Sequence, residues 1–358
     1  MSGGAAGRLS VVIPTLGRET VVRTVESLLA ARGGDEAEIV VAGRIADGEV
    51  LGRLRDLMEK HGNVRHLDIQ FEKGDSSRKK NEGAAATKGE IVAFLDDDVE
   101  VAEDWPEKIL APFGDERVGL ASGPGLVPDG LNEVGRQAGL ALSSRAAGFV
   151  ADRYRGGEGG IAEAGWDQII GCNAAYRRTA FQEMGGFPEE FYPGEEMLAA
   201  YRTEALGWGL RFTAEARVWH WPRQGMRRFW RQMGSYGATR IRLMRAGVTW
   251  HPTVLAPGLW VGATIALAAA GFFWRPGWWL LGATTAAYAA LTAWMAGGVV
   301  RETGRPGDWR VWPMMWVMHA AYGIGEWTEL VRPSRDLSDK PVGGTAPKRF
   351  RGRGKRGR

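Results

Sequence analysis

The first residues whose types could do chemistry are three consecutive aspartates, Asp96, Asp97 and Asp98, which follow the apolar run Ile91–Leu95. Adjacent carboxylates repel one another, so they are tolerated where water or a cation neutralises them. Their oxygens are the ligands that hard divalent ions such as Mg²⁺ or Mn²⁺ prefer, and an ion held there could bridge to a diphosphate. A solvated acidic turn would explain the triplet equally well when it is taken alone.

Two further groups of residues could take part in the same chemistry. The acid pair Glu195 and Glu196 stands where a helix is predicted to begin, near the positive end of its dipole. A carboxylate held there could accept a proton from a hydroxyl. His220 stands between Trp219 and Trp221 and could be a neutral imidazole ligand to a metal. Each group also has a structural explanation, as a helix-capping acid pair and as a packed histidine.

The elements that must position these residues are strands and helices in alternation. The predicted elements of the first part of the chain are Leu9–Pro14, Val21–Ala30, Glu38–Ala42, Val50–His61, His66–Phe71, Asn81–Ala86 and Ile91–Leu95. This alternation predicts right-handed βαβ units and a parallel sheet. Ligands bind such sheets outside the carboxyl ends of the strands, where Thr15 and the Asp triplet fall. Further along, the pattern predicts a helix over Leu131–Val150, a buried strand over Trp166–Arg177 and a helix over Glu195–Leu206.

The composition excludes several classes of protein. An apolar fraction of 44% and a charged fraction of 25% are those of a globular chain, so wholesale disorder is excluded. The single cysteine, Cys172, excludes an intramolecular disulfide framework and the Cys clusters that bind zinc or iron–sulfur centres.

The order of these features along the chain resembles glycosyltransferase family 2, whose members have the GT-A fold. The likeness runs from about Leu9 to Leu243 and depends on the βαβ start, the Asp triplet, the Gly185-Gly186-Phe187 turn, the acid pair and the later histidine. It implies an α/β fold in which a Rossmann-like nucleotide-sugar-binding domain is followed by interfacial and transmembrane α-helices.

The resemblance implies a catalytic pair and a metal site. Glu196 falls on the family's general base, and Glu195 is the first member of that pair. Asp98 and Asp96 match the D-x-D metal motif, and His220 falls where some members offer a further ligand. The cofactor implied is Mg²⁺ or Mn²⁺.

The resemblance also implies binding residues for the donor and the acceptor. The family's second strand usually ends in aspartates that help bind the base, and Arg44 or Asp47 would take that place here. The residues implied in nucleotide-sugar binding are Pro14, Thr15, Arg18, Arg44, Lys80, Asn81, Asp96 and Asp97. Those implied in contact with the acceptor or a lipid pyrophosphate are Asn173, Arg202 and Arg231.

The function that the resemblance implies is inverting transfer of a sugar, with a UDP-sugar as the expected donor. The expected acceptor is a hydroxyl of a membrane-bound, polyprenyl-linked saccharide. One alternative is a polyprenyl-phosphate sugar synthase, whose acceptor is already an anion and needs a strong base less. Another is a catalytically degenerate transferase that acts as a membrane-bound binding module.

The last third of the chain has the composition of a membrane-associated segment. No Asp or Glu occurs from Ala216 to Arg301. The uncharged runs Thr253–Trp274 and Pro276–Val300 each reach the roughly 20 residues that a membrane-spanning helix needs. A third run, Val311–Gly325, is shorter, and we expect it to lie in the membrane interface rather than to span. The alternative for the two long runs is a buried helical hairpin of a soluble protein.

Basic residues predict the orientation of these segments. Arg223–Arg245 carries seven Arg, the linker after the second run holds Arg301, Arg305 and Arg310, and Lys348–Arg358 is a basic tail. Positive loops stay cytoplasmic, and two spans keep all three groups on one side. We therefore expect a multi-pass protein of the cell membrane with a cytoplasmic catalytic domain. Basic residues beside apolar ones in Arg223–Arg245 predict contact with anionic lipids, and no nucleic-acid partner is expected for the tail.

These expectations divide the chain into four parts. The transferase domain covers residues 1–222, and basic amphipathic interfacial helices cover 223–252. The membrane hairpin covers 253–300, and 301–358 holds the third helix, interfacial or spanning, and the tail.

Overall fold

The computed structural model describes residues 7–70, 75–157, 159–221, 225–248 and 252–334, and of Phe149 only the backbone. The predicted basic tail Lys348–Arg358 and the start of the basic segment at Arg223 lie outside the described residues.

The first part of the chain forms a parallel sheet, as the alternation of strands and helices predicts. The elements are β1 (Leu9–Pro14), α1 (Thr20–Ala30), β2 (Glu38–Ala42), α2 (Gly48–Lys60), β3 (Val64–Leu67), α3 (Ser76–Ala85) and β4 (Ile91–Leu95). β1 pairs in parallel with both β2 and β4, and β2 pairs in parallel with β3. Helix α1 buries one face, with Val22, Val25 and Leu28, because its apolar residues recur at helical spacing.

The second part adds strands to this sheet and builds a small second one. It contains β5 (Val99–Val101), α4 (Trp105–Leu110), β6 (Val118–Ser122), β7 (Gly125–Leu126), α5 (Glu133–Ser143), β8 (Ile161–Glu163), β9 (Asn173–Arg177), α6 (Arg178–Glu183), α7 (Glu195–Ala205), β10 (Gly209–Thr213) and β11 (Val218–His220). The main sheet has the order β3-β2-β1-β4-β9-β6-β10-β8, and the second has β5-β11-β7. β9 enters antiparallel between β4 and β6, which makes the sheet mixed.

Several of the predicted elements are wrong in extent. The strand predicted over His66–Phe71 is β3, which covers Val64–Leu67, and the helix predicted over Asn81–Ala86 already begins at Ser76. The helix predicted over Leu131–Val150 ends at Ser143 because Ser144 is extended, with a ψ of 166°. An irregular helical segment, Arg145–Tyr154, follows and is called the 145–154 segment below. The strand predicted over Trp166–Arg177 is confined to β9, because Trp166–Gln168 forms a short 3-10 turn instead.

Four helices complete the described chain: α8 (Met226–Arg245), α9 (Ala256–Gly271), α10 (Pro276–Thr303) and α11 (Val311–Val331). α11 makes its most extensive contact with α8 and also packs on α9 and α5. A Cβ on Gly237 of α8 would lie 2.0 Å from the Tyr322 carbonyl oxygen, and one on Gly325 of α11 would lie 1.9 Å from that of Gly234. The two backbones therefore approach closely because glycine stands at both sides of the crossing.

Two stretches, Thr253–Gly271 and Pro276–Thr303, are long and apolar enough to cross a membrane by length and composition. Most of their residues are at least partly exposed in the isolated chain, and Phe273 in the turn between them is 95% exposed. The loop after α10 is held to the transferase domain, because Arg136 of α5 donates two hydrogen bonds, of 3.0 and 2.6 Å, to the buried carboxylate of Asp308. The turn at Phe273 and the loop at Asp308 therefore lie at opposite ends of α10.

Candidate active site

The turn after β1 is hydrogen-bonded to Asp97, the middle residue of the Asp triplet. Asp97 is only 1% exposed. Its Oδ2 accepts hydrogen bonds from the Thr15 hydroxyl at 2.7 Å and from the Leu16 backbone N–H at 3.2 Å, and its other oxygen pairs with Arg18. Asp97 and Thr15 therefore hold the carboxyl ends of β1 and β4 together, with Asp96 and Asp98 on either side of the joining residue.

Asp98 and His220 meet because β11 pairs with β5, which sets His220 opposite Val99. The Asp98 carboxylate lies 3.2 Å from His220 Nε2 and accepts a hydrogen bond of 2.7 Å from Arg18. Burial alone would raise the pKa of Asp98, but His220 and Arg18 lower it to about 2. Burial would likewise lower the pKa of His220, and the hydrogen bond to Asp98 reverses this and raises it.

These residues form a donor set that fits a divalent cation. One ligand atom from each of Asp96, Asp98 and His220 lies within 4.8 Å of the other two. Two carboxylates and one imidazole suit Mn²⁺ or Mg²⁺, and Arg18 occupies part of the same space as a counter-charge. The residues named from the sequence as metal ligands are thus brought together.

Lys80 connects this group with the acid pair. Its ammonium lies 3.1 Å from Glu195 Oε1, both side chains are about 95% buried, and the ammonium stands 4.9 Å from the centre of the Phe187 ring. Burial would lower the pKa of Lys80, but the charges of Glu195, Asp96 and Glu196 raise it. Burial would raise the pKa of Glu195, and Lys80 lowers it below its usual range. The pair is therefore an ion pair, and one cation lies among three carboxylates.

Glu196 differs from Glu195 although the two are adjacent. It is half-buried at the start of α7, and no basic side chain of the described residues forms an ion pair with it. Burial, followed by the charge of Glu195, raises the pKa of Glu196 to about 7. A carboxylate with a pKa near neutrality has the protonation balance of a general base.

Helix α8 holds the start of α7 in place. Gly194, the residue before Glu195, has a φ of 103°, which favours glycine, and a Cβ there would lie 2.3 Å from the Thr239 methyl carbon. The Thr239 hydroxyl donates a hydrogen bond of 3.1 Å to the Pro193 carbonyl oxygen. The position of Glu196 therefore depends on α8, a helix that follows the last strand of the two sheets.

Several predicted binding residues serve the fold. Asn81 binds the backbone N–H and carbonyl of Phe187 at 2.8 and 2.9 Å, so its amide holds the Gly-Gly-Phe turn. Asn173 is fully buried and bonds Trp105 and the carbonyl oxygens of Pro124 and Ala216. The amide of Asn173 therefore makes its hydrogen bonds within the protein.

The remaining predicted binding residues are exposed or half-buried. Pro14 is half-buried at the end of β1, and Arg44 is exposed and bonds Gln70 at 3.3 Å. Arg202 is half-buried further along α7, and Arg231 is exposed on α8. Asp47, the alternative to Arg44, caps α2 by accepting from the backbone N–H groups of Glu49 and Val50.

The sequence reasoning missed Arg153, Tyr154 and Tyr322 and included Tyr236 and Arg240 only as part of the basic segment Arg223–Arg245. These five cationic and phenolic residues lie around the start of α7, near Glu196. They come from the 145–154 segment, α8 and α11. Only the basic character of Arg223–Arg245 pointed to any of them, and nothing in the spacing connects Arg153 with the acid pair.

Comparison with known proteins finds similarity to glycosyltransferases. Residues 10–185 match the family described as glycosyl transferase family 2. The chain is 27% identical over 208 residues to the pre-mycofactocin glycosyltransferase of Mycobacterium tuberculosis, which covers 56% of this chain and 41% of that protein. It is 30% identical over 153 residues to the O-antigen chain rhamnosyltransferase WbaN of Salmonella anatum, which covers 41% of this chain and 47% of that protein. The chain thus spans less than half the length of these two relatives.

A solved structure resembles the whole described architecture. The mannosyltransferase PcManGT from Pyrobaculum calidifontis, solved in complex with GDP-Man and Mn²⁺, aligns with a TM-score of 0.56. The alignment covers 91% of this chain and 88% of that one at 17% identity. At that identity the likeness establishes the GT-A fold, with C-terminal helices following it.

Proposed function

Because the chain belongs to glycosyl transferase family 2, we propose that it transfers a sugar from a nucleotide sugar, a UDP-sugar, to a hydroxyl of a membrane-bound, polyprenyl-linked saccharide. One observation carries the proposal: Glu196, whose pKa is raised to about 7, follows Glu195, and the ion-pair partner of Glu195, Lys80, also carries the influence of Asp96 from the group of metal-type ligands. A proton acceptor and an anion-neutralising centre are the two parts that direct sugar transfer needs.

The donor side of the site would hold the diphosphate. Asp96, Asp98 and His220 are the residues that would bind Mg²⁺ or Mn²⁺. Such an ion neutralises the charge that develops on a departing diphosphate. Arg18, which now pairs with Asp98, can reach the same charge, and its guanidinium suits phosphate oxygens.

The acceptor side would supply the nucleophile. Glu196 takes the proton from the acceptor hydroxyl, whose oxygen attacks the anomeric carbon as the bond to the diphosphate breaks. Attack occurs on the face opposite the leaving group, so a single displacement inverts the configuration without a covalent enzyme intermediate. Lys80 and Glu195 position Glu196 and keep the charge of the site balanced.

A lipid-linked acceptor is supported by the surface next to the site. The first turns of α8 expose Met226 and Trp230 beside Arg227, Arg228 and Arg231. Apolar and basic side chains together suit the headgroup region of an anionic membrane. Because α8 also holds the start of α7, that surface sets the catalytic site near the membrane plane.

The donor assignment is tested by thermal unfolding of the full chain in detergent with a panel of nucleotide sugars. A ligand at about 100 times its Kd stabilises a protein by about 2.7 kcal/mol, so the correct donor with Mn²⁺ should raise Tm clearly. Asp98→Asn and EDTA should each abolish the rise, whereas Asp115→Asn, at an exposed site paired with Arg117, should keep it. An equal rise in Asp98→Asn would refute the metal assignment.

The orientation is a separate part of the proposal. With the catalytic domain in the cytoplasm, Phe273 lies outside and Gly307 inside. A membrane-impermeant thiol reagent applied to intact cells should label Phe273→Cys and not Gly307→Cys. Labelling at position 307 would contradict two spans with a cytoplasmic domain.

A polyprenyl-phosphate sugar synthase remains the second candidate because Arg153, a buried cation, lies near Glu196. Its acceptor oxygen is already ionised, so the Glu196→Gln variant would keep its turnover with a polyprenyl phosphate. A degenerate binding module is the third. It would bind a nucleotide sugar in the thermal assay and neither transfer nor hydrolyse it with any lipid extract.

A further inference from the structure

The guanidinium of Arg153 is buried without a carboxylate partner. The residue is 7% exposed, and its Nε has no hydrogen-bond partner. Its only described hydrogen bond is from the guanidinium to the Asp167 carbonyl oxygen. No carboxylate in the described ranges lies within ion-pair distance of it. A buried charge held by a single carbonyl is costly unless something else neutralises it.

A second buried cation lies close to Arg153. Arg240 of α8 is 8% exposed and donates hydrogen bonds to the Tyr322 hydroxyl at 3.1 Å and to the Met197 sulfur at 3.2 Å. Burial, and then the charge of Arg240, lower the pKa of Arg153 to about 10, which still leaves Arg153 charged at neutral pH. Two like charges brought together in this way favour an anion between them.

The position of Arg153 and Arg240 indicates which substrate would carry the anion. Arg240 reaches Met197, the residue after Glu196, and the charge of Arg153 lowers the pKa of Glu196 against the effect of burial. The pair is built from the 145–154 segment and α8, neither of which supplies a residue to the Asp96, Asp98 and His220 group. It is therefore on the acceptor side of the base, among the elements that join the transferase domain to the C-terminal helices.

We propose that Arg153 and Arg240 bind a phosphate-type anion carried by the acceptor and so align the acceptor with Glu196. The proposal rests on the proposed function, because it takes Glu196 as the base of a transfer to a membrane-bound acceptor. Guanidinium groups bind phosphate oxygens in charge-assisted, often bidentate hydrogen bonds, and phenol hydroxyls can donate to the same oxygens. The anion could belong to a lipid or be free phosphate, and the two sources can be separated by experiment.

The test measures binding to the full chain in an uncharged detergent with EDTA, so that the metal-dependent donor site does not contribute. The probes are farnesyl phosphate, farnesol and inorganic phosphate. Farnesyl phosphate should bind at least about tenfold tighter than farnesol, since a charge-assisted hydrogen bond is worth about that much. Inorganic phosphate should bind more weakly than the lipid phosphate. Equal binding of inorganic phosphate and farnesyl phosphate would assign the site to a free anion and overturn the acceptor assignment.

Variants locate the binding. Arg153→Gln should lose about tenfold or more in farnesyl phosphate affinity, and Arg153→Lys should recover part of it because the charge returns. Arg53→Gln, which removes an exposed arginine of α2, should bind like the wild type. Unchanged affinity in a folded Arg153→Gln protein, or equal binding of farnesyl phosphate and farnesol by the wild type, would overturn the proposal.

A second readout keeps the outcomes distinct. Nucleoside diphosphate binding with Mn²⁺ reports whether each variant is folded. If Arg153→Gln is not folded, the proposal is tested by the affinity of Arg153→Lys for farnesyl phosphate and by the preference of the wild type for farnesyl phosphate over farnesol. Selective binding of farnesyl phosphate by a protein that turns over no nucleotide sugar would leave this site in place and refute the proposed function. Turnover of the donor without a preference for the lipid phosphate would refute this site and leave the proposed function in place.

Discussion

Replacing Glu196 with glutamine should slow sugar transfer and, above neutral pH, stabilise the protein. Removing a general base costs about 10²–10⁴-fold in rate, which corresponds to about 3–5 kcal/mol of transition-state stabilisation. Nucleotide binding should change little, because the donor site proposed around Asp96, Asp98 and His220 keeps all its residues. The loss should therefore fall on kcat rather than on the affinity for the donor.

The stability effect follows from the raised pKa. An acid whose pKa rises from near 4.3 in the unfolded chain to about 7 in the folded protein binds more protons when folded. Stability is then greatest below pH 4 and falls as the pH rises through 7. The full shift corresponds to about 4 kcal/mol, which partial exposure of Glu196 reduces to about 1–2 kcal/mol. Glu196→Gln removes that penalty, so its Tm at pH 8 should exceed that of the wild type.

The assay combines pH–rate profiles with thermal unfolding. For the wild type, kcat should rise with pH to a plateau with an apparent pKa near 7, and in Glu196→Gln the residual rate should lack this step. Glu204→Gln, further along α7, is the matched control and should keep both the rate and the step. A wild-type profile that is flat from pH 5 to 9, or a larger loss of rate in Glu195→Gln than in Glu196→Gln, would refute the assignment of the base.

The other predictions concern packing and charge. Lys80→Met should destabilise the fold by about 3–5 kcal/mol in urea unfolding, because it leaves the buried Glu195 without its cation, and adding Glu195→Gln should restore part of the loss. An equal loss in the double variant would contradict that account. Gly237→Ala should lower Tm, because its Cβ would lie 2.0 Å from the Tyr322 carbonyl oxygen, whereas Gly282→Ala, with open space around it, should leave Tm unchanged or raise it. Equal Tm values for the two glycine variants would mean that the α8–α11 crossing can spread at little cost.

Local patterns in the sequence determined the secondary-structure elements and the edge of the sheet at which the candidate site lies. Alternating apolar strands and amphipathic helices specify β1 to β4, and an acidic run directly after β4 has to stand at the carboxyl edge of that sheet. The start of α7 at Glu195 is likewise local, since acids favour the first turn of a helix. Where a polar run interrupts a weak helical pattern, as at Ser144, local reasoning extended the helix too far.

Only the tertiary structure decided which of these residues meet and which are used for support. His220 reaches Asp98, 122 positions away, because β11 pairs with β5 in a second sheet, and strand order is not encoded by spacing. Lys80 pairs with Glu195, 115 positions away, whereas the side chain of the neighbouring Asn81 turns the other way and holds a loop. The partners of a buried polar side chain are set by whichever element packs over it. One sequence motif can therefore contain a residue that faces the candidate site and another that maintains the fold.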